Sequence, residues 1–434
     1  MKIAVIGTGI SGNIIARMLS TRFDVHVFEA NDYIGGHTNT VDFNAFGRQL
    51  KADTGFMVFN RKTYPNFCKM LDLLSIDSDD SDMSFSVRCQ RTGLEYEGSS
   101  LNGVFAQRSN LLRPQFYQML YEVFRFNKRA NAAIQDASLE DGTTVGELLG
   151  RWKLGTWFRR YYLQPMTAAI WSSNPAEILQ FPAKFLIGFM HNHGLLQVTD
   201  QPLWRTVSGG ARNYVQALTA PLRRKYRLNC PVKSVMRNAD GVTLQTDQGI
   251  EGFDEVVFAT HADQTLTILA DATPTEREVL SAFPYRPNVA TLHTDTSLLP
   301  KRKRAWASWN YDLTGDANKP ATVTYDLTRL QSLDTPSPVL LTLNQPEAVR
   351  PEHVLREINY AHPAYSCASI AAQRRHEEIS GTNRIHYCGA YWGYGFHEDG
   401  VNSALRVAQK FNLRMDECLA ASTKVESRIA ATVL

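Results

Sequence analysis

The chain opens on an apolar run, Ile3-Ala-Val-Ile6, that stops at a glycine. A short, uninterrupted apolar run predicts a strand covered on both faces, as in a parallel sheet. Gly7-Thr8-Gly9-Ile10-Ser11-Gly12 follows, and then Ile14, Ile15, Met18 and Leu19 recur at helical spacing. Val25-His-Val-Phe28 is a second apolar strand, ending at Glu29. Further on, Phe116, Leu120, Val123 and Phe124 predict an amphipathic helix over residues 114 to 133, and a helix is expected from about Asn213. Short strands with turns at Asp240-Gly241 and Gln248-Gly249 are expected between Cys230 and Thr260. Leu298 to Trp309 and Val339 to Leu343 have the pattern of antiparallel strands. Near the C-terminus an apolar strand ends at Gly389, and Ala404, Leu405, Val407, Ala408 and Phe411 mark a last helix.

The glycine turn has a specific chemistry. Gly7 permits the tight turn, Gly9 lets a pyrophosphate approach the backbone, and Gly12 lets helix and strand pack closely. The helix start at Ile10 and Ser11 offers free N–H groups to phosphate, and Glu29, with Ala30 after it, is placed to meet a ribose. Strand, glycine triplet, helix, strand and acid in this register point to a dinucleotide. With Gly35-Gly36 added, the segment resembles the FAD-binding start of the amine oxidase and phytoene desaturase superfamily, where a second pair of glycines touches the same pyrophosphate. That family often has arginine after the pair; this chain has His37. Thr54-Gly55 resembles the family's segment returning towards the flavin, and Val232 its strand residue beside adenine.

The resemblance implies a Rossmann-like FAD-binding domain of the glutathione-reductase type, interleaved with an α+β substrate domain. The expected division is FAD-binding residues 1 to 60, 205 to 265 and 381 to 415, substrate-domain residues 61 to 204 and 266 to 380, and a tail from 416 to 434. A chain of 434 residues exceeds one simple core. A net charge of +3 gives no reason to expect nucleic acid. The densest basic run, Lys301-Arg-Lys-Arg304, is a solvated loop or a contact for anionic lipid. Six scattered cysteines without a Cys-x-x-Cys pair predict neither disulfides nor a metal site. A nucleotide-binding strand starting at Lys2 leaves no room for a signal peptide, so a cytoplasmic protein is expected.

The second site signal is Tyr387-Cys-Gly389-Ala-Tyr-Trp-Gly393-Tyr-Gly395-Phe396-His397-Glu398-Asp399-Gly400-Val401. A helix start there would face the flavin edge that gains negative charge on reduction. The motif resembles the superfamily's closing signature, which implies cofactor contacts at Gly389, His397, Glu398 and Val401 and an aromatic cage position at Phe396. His397 and Phe396 are therefore catalytic candidates. His193 is a third, as a proton acceptor or as a histidine satisfied by a carbonyl. Cys388 does not match the family's attachment cysteine, so the FAD is expected to be non-covalent. Trp171, Trp204, Trp306 and Trp309 read as core or as substrate wall.

Beyond the superfamily, Tyr96-Glu-Gly98, Pro165-Met-Thr, Trp171-Ser-Ser173, His193-Gly-Leu-Leu, Trp204-Arg-Thr and Trp306-Ala-Ser-Trp309 resemble bacterial FAD-binding proteins associated with cyclopropane-fatty-acid-synthase-like methyltransferases. That resemblance implies a lipid acyl-chain substrate, desaturation of methyl-branched chains and a methyltransferase partner. A flavin amine oxidase acting on a soluble amine is the alternative, and a lipid-binding partner with structural FAD is a third. The segment Asn110 to Arg129, apolar with basic residues, is expected either to touch an anionic membrane surface or to be a core helix with snorkelling ends.

Overall fold

The computed structural model describes residues 1–197, 201–313 and 322–420. Its first sheet is five-stranded and parallel, in the order Tyr226–Arg227, Asp24–Phe28, Lys2–Ile6, Glu255–Phe258, Ile385–Tyr387. Val5 lies between Val27 and Val257. Ile3 to Ile6 and Val256 to Phe258 are continuously apolar and buried because both faces of the central strands are covered. Helices Ile10–Leu19 and His397–Lys410 share one core through Ile14, Ile15, Val401 and Ala404. A three-stranded antiparallel sheet, Ser234–Arg237, Val242–Thr246 and Gly249–Phe253, belongs to another core through Val235, Leu244, Phe28 and Phe258.

The second large sheet has seven strands, in the order Val354–Pro363, Tyr285–His293, Leu340–Leu343, Thr322–Asp326, Trp309–Leu313, Phe85–Cys89, Glu95–Glu97. It is antiparallel except where Trp309–Leu313 runs parallel to Phe85–Cys89. Helices Pro114–Gln135 and Ala183–Asn192 share its core, with Phe126, Phe185 and Leu186 in the same apolar cluster as Leu292, Tyr311 and Leu341. The architecture is a Rossmann-like domain combined with an α+β domain, as the resemblance implied.

Several local expectations are corrected. Leu298 to Ser308 is not a strand: it forms two 3₁₀ turns, Thr296–Leu298 and Lys303–Ala305, and pairing begins only at Trp309. Pro300 lacks the N–H a ladder needs, and the N–H groups of Lys301 and Arg302 donate to buried Glu95 at 2.9 and 3.2 Å. Val232 precedes its strand, which starts at Ser234. Helix Pro65–Leu73 lies past residue 60 yet packs Phe67, Met70 and Leu71 into the first helix's core. Cys418 and Leu419 are buried there too, while the expected tail beyond residue 420 lies outside the described residues. Among the described residues no helix is long and apolar enough to cross a membrane, and no cluster of side chains is suited to a metal.

Candidate functional site

The three glycines of the first turn are required for different reasons. Gly7 has φ +99°, and a Cβ there would lie 2.8 Å from the Ala259 carbonyl oxygen. A Cβ on Gly12 would lie 2.1 Å from the Gly7 carbonyl oxygen. Both are dictated by the fold. Gly9 is not: its φ of −63° and ψ of −179° suit any residue, and a Cβ there meets nothing within 4 Å. Gly36, at φ +58°, turns towards the same point, its Cβ direction ending 3.1 Å from the Gly9 Cα. The first helical bond runs from Asn13 N–H to the Gly9 carbonyl, 3.0 Å, which leaves the N–H groups of Ile10, Ser11 and Gly12 outside the ladder. An open cradle at Gly9, bordered by the second glycine element and a helix start, is what a pyrophosphate needs.

Glu29 is buried at the end of its strand. Its Oε2 accepts from the Thr8 N–H at 3.0 Å and from the Thr8 hydroxyl, and its Oε1 accepts from Asn31 N–H and Nδ2 at 2.9 and 3.0 Å. These donors hold the carboxylate in place. Ala30 is exposed beside it. The Cys230 N–H donates to the Glu29 carbonyl at 2.8 Å and brings buried Val232 to the same end of the sheet. On the other side, Gly35 donates to the Thr8 hydroxyl at 3.3 Å.

His37 stacks on Tyr360 at 4.9 Å, with His362 at 5.2 Å and His261 at 6.1 Å. Its Nε2 is buried with no partner in the protein. Burial, and then His261, push its pKa down to about 4, so the ring is neutral near pH 7. An orphaned buried nitrogen one residue from Gly36 fits a hydrogen bond to a bound group. The Gly55 Cβ position lies 2.2 Å from the His37 carbonyl, and the Thr54 hydroxyl is 2.8 Å from that of Tyr360, so this segment closes against His37.

The aromatic–glycine loop ends at the helix His397–Lys410. The Gly389 N–H donates to Ser403 Oγ at 3.0 Å, and Gln373 Nε2 donates to the carbonyls of Tyr391 and Gly393 at 2.8 and 2.6 Å. Ser11 Oγ donates to the Gly400 carbonyl at 2.9 Å, and a Cβ on Gly400 would strike Ile10 Cγ2 at 2.6 Å. The two helix starts are therefore locked together. The Gly400 N–H bonds back to Phe396, leaving the N–H groups of His397, Glu398 and Asp399 outside the ladder. Buried Val401 anchors this turn beneath them.

The side chains of that turn face away from a substrate role. The His397 ring stacks on Phe56 at 3.5 Å, and its Nε2 lies 3.0 Å from Thr38 Oγ1 and 3.2 Å from the Tyr214 hydroxyl. Burial pushes its pKa well below the ordinary value. The Glu398 carboxylate accepts from Asn66 and Phe67 N–H at 3.1 and 2.9 Å and so caps the helix Pro65–Leu73; burial raises its pKa. These side chains tie the Rossmann side together, and what their residues offer a cofactor is backbone. Asp399 was not singled out by the sequence reading. Its carboxylate accepts from Phe396 N–H at 2.9 Å, and burial pushes its pKa up to about 7 against the hydrogen bonds from the Phe396 and Tyr394 backbone.

Phe396 joins a compact aromatic wall. Phe189 stacks on it at 5.1 Å, His193 lies at 5.8 Å and Trp171 at 6.4 Å. Trp171 Nε1 donates to the Tyr394 carbonyl at 3.0 Å, fixing the loop to the wall. His193 is buried and stacks on Phe189 at 3.9 Å. Its Nδ1 lies 3.0 Å from the Phe189 carbonyl, which only accepts, so Nδ1 carries the proton and Nε2 is the base nitrogen. Burial lowers its pKa to about 4. Trp204 is within 6.2 Å of His193, whereas Trp309 packs on Tyr325 in the second sheet. Every described lysine is exposed except half-buried Lys2 and Lys225, which pair with Glu251 and Asp24.

The chain matches the family model "Flavin containing amine oxidoreductase" over residues 10–323. It belongs to that family. Cyclohexylamine oxidase from Brevibacterium oxydans superimposes with a TM-score of 0.66 at 17% identity, covering 95% of this chain and 99% of the other. A fatty acid isomerase from P. acnes that produces CLA gives 0.66 at 15%, covering 94% and 98%. Putrescine oxidase bound to putrescine gives 0.65 at 15%, covering 95% and 99%. Such identities show the shared fold. No curated protein matches the chain. Membership in the family makes the protein an FAD-dependent oxidoreductase, and the Gly9 cradle fits the cofactor.

Proposed function

We propose that this flavoprotein oxidises a short amine using non-covalently bound FAD. The observation that carries the substrate reading is the aromatic wall of Phe396, Phe189, Trp171 and His193, whose rings pack 3.9 to 6.4 Å apart and set one basic ring nitrogen in an apolar surface, as an amine with an apolar skeleton requires. The family description and the two amine oxidases among the similar structures support the same reading. FAD, when bound, supplies the acceptor for the hydride leaving the substrate carbon.

The protein's own part is binding, orientation and proton handling. The helix start at Ile10 to Gly12 and the Gly9–Gly36 cradle would hold the pyrophosphate, with His37 Nε2 as an added partner. Glu29, held by Thr8 and Asn31, orients a ribose. The N–H groups of His397 to Asp399, left outside the ladder, would favour negative charge on a cofactor ring placed against them. His193, neutral above about pH 4, offers Nε2 to an amine N–H. Cys388 is wholly buried and burial pushes its thiol up, so it is poorly suited to attack a flavin.

A second reading, dehydrogenation of a methyl-branched acyl chain beside a methyltransferase partner, is favoured by one observation. The fatty acid isomerase superimposes as well as cyclohexylamine oxidase does, with a TM-score of 0.66 in both cases. Anaerobic bleaching of the bound flavin separates the two. Bleaching by cyclic or short aliphatic amines and not by vesicles with methyl-branched acyl chains is the expected outcome; the reverse would establish the acyl reading, and no bleaching by either would favour a structural flavin.

A further inference from the structure

Helix Pro114–Gln135 is only partly a core helix. Phe116, Met119 and Phe126 are buried, but Tyr117, Tyr121 and Phe124 share the opposite, exposed face, with Tyr121 at 66% and Phe124 at 59% exposure. The turn before it adds Leu111 and Leu112, the latter 87% exposed, and the short helix Leu101–Val104 adds Leu101 at 81%. The three segments are joined. The Tyr117 hydroxyl donates to the Leu111 carbonyl at 3.1 Å, the Phe105 and Tyr117 rings are 5.9 Å apart, and Arg108 donates to Asn102 at 2.7 Å. More than half of the strongly exposed large apolar side chains among the described residues fall between Leu101 and Phe124.

The charge beside this patch has one sign. Between residues 98 and 135 the only acid is Glu122, which is buried and accepts from Gly155 N–H at 3.1 Å. Lys128 continues the exposed helix face one turn beyond Phe124. The turn Lys303–Ala305 packs against Leu101–Val104 and brings the basic run to the other end of the patch. Within that run Arg302 is paired with Glu95 at 2.9 Å, whereas exposed Lys301, Lys303 and Arg304 have no acidic partner among the described residues.

We infer that this face docks on an anionic lipid bilayer. A row of leucine and aromatic side chains, edged by lysine and arginine that have no acidic partner among the described residues, complements an interface that is apolar inside and negative at its headgroups. A protein partner recognised by the same face would need acids facing the basic edge, and a second copy of this face would set like charges together. The docked face connects to the candidate site: helix Pro114–Gln135 packs on Ala183–Asn192, which carries Phe189, and Asn131 bonds His191 at 3.1 Å. The inference does not depend on whether the substrate is an amine or an acyl chain.

The test is flotation of the full-length FAD-loaded protein with phosphatidylcholine vesicles, with and without phosphatidylglycerol. Binding is expected only with phosphatidylglycerol and should weaken in high salt. Leu112→Asp with Phe124→Asp should abolish flotation while flavin content and melting temperature stay at wild-type values, since both side chains are exposed. Lys303→Glu with Arg304→Glu should weaken binding by about fivefold or more for each charge. Absence of wild-type flotation, equal binding to both vesicles, or flotation unchanged in the folded Leu112/Phe124 variant would overturn the inference. So would a stable dimer in sedimentation velocity that the same variant dissolves.

Discussion

His193 is where residue-scale geometry says more than residue type. Its Nδ1–H is committed to the Phe189 carbonyl, which leaves one neutral basic nitrogen beside Phe396. His193→Gln should keep FAD and fold but lower turnover by about 10²-fold, with the loss in kcat larger than any change in KM. A variant with wild-type turnover would reduce His193 to packing. The sequence allowed a carbonyl partner for His193; which carbonyl, that of Phe189 in the preceding helical turn, comes from the structure. His397 is the opposite case. Its motif position was legible, yet the ring's neighbours Phe56, Thr38 and Tyr214 arrive from three separate segments, and no local pattern announces them.

Among the elements, the helix start at His397 is the one that matters most for the cofactor. Its approach is set by Asp399, which accepts the Phe396 N–H and leaves no room for a side chain on Gly393, whose Cβ would lie 2.2 Å from Asp399 Oδ1. Asp399→Ala leaves buried backbone donors unpaired and should cost about 1–3 kcal/mol of stability. FAD affinity, followed by fluorescence titration, should fall with it. Asp399→Asn keeps an acceptor and should recover most of both. Equal affinity in the wild type and the alanine variant would detach this loop from the cofactor. The strand–turn–helix at residues 2 to 28 was fully legible because its pattern is local. The stretch from Leu298 to Ser308 was misread because the N–H groups of Lys301 and Arg302 are claimed by Glu95, which is distant in sequence, and those of Ala305 and Trp306 by a local turn.

For the whole molecule, two chain-wide properties follow from burial. Burial lowers the pKa of His37, His193, His261, His293 and His376 to about 4, against 6.5 when unfolded. The unfolded chain therefore binds more protons between pH 6.5 and 4, and stability falls as pH drops through that window. Asp53 and Asp399, raised to about 6 and about 7 from 3.8, act in the opposite sense: the folded chain takes up their protons first, and their contribution is lost as pH rises through that range. His362 and His397 are lowered too, and Asp326 and Glu398 raised; seven histidines outnumber four carboxyls, so the melting temperature should fall from pH 6.5 to 4. A flat or rising profile on acidification would show that these rings are not held neutral. The two-domain architecture was readable from dispersed local motifs. The exposure of Tyr117, Tyr121 and Phe124 was not, since helical periodicity marks which residues share a face without saying which face is covered.

The central claim is that the surface at Gly9 is built for the FAD pyrophosphate. Backbone and internal packing both tolerate a side chain there, so Gly9→Val separates folding from cofactor binding. The measurement is the flavin absorbance and FAD dissociation constant of purified Gly9→Val beside its circular dichroism and melting curve. The account predicts a folded, colourless protein that does not take up FAD. A folded Gly9→Val protein that binds FAD as tightly as wild type would contradict it.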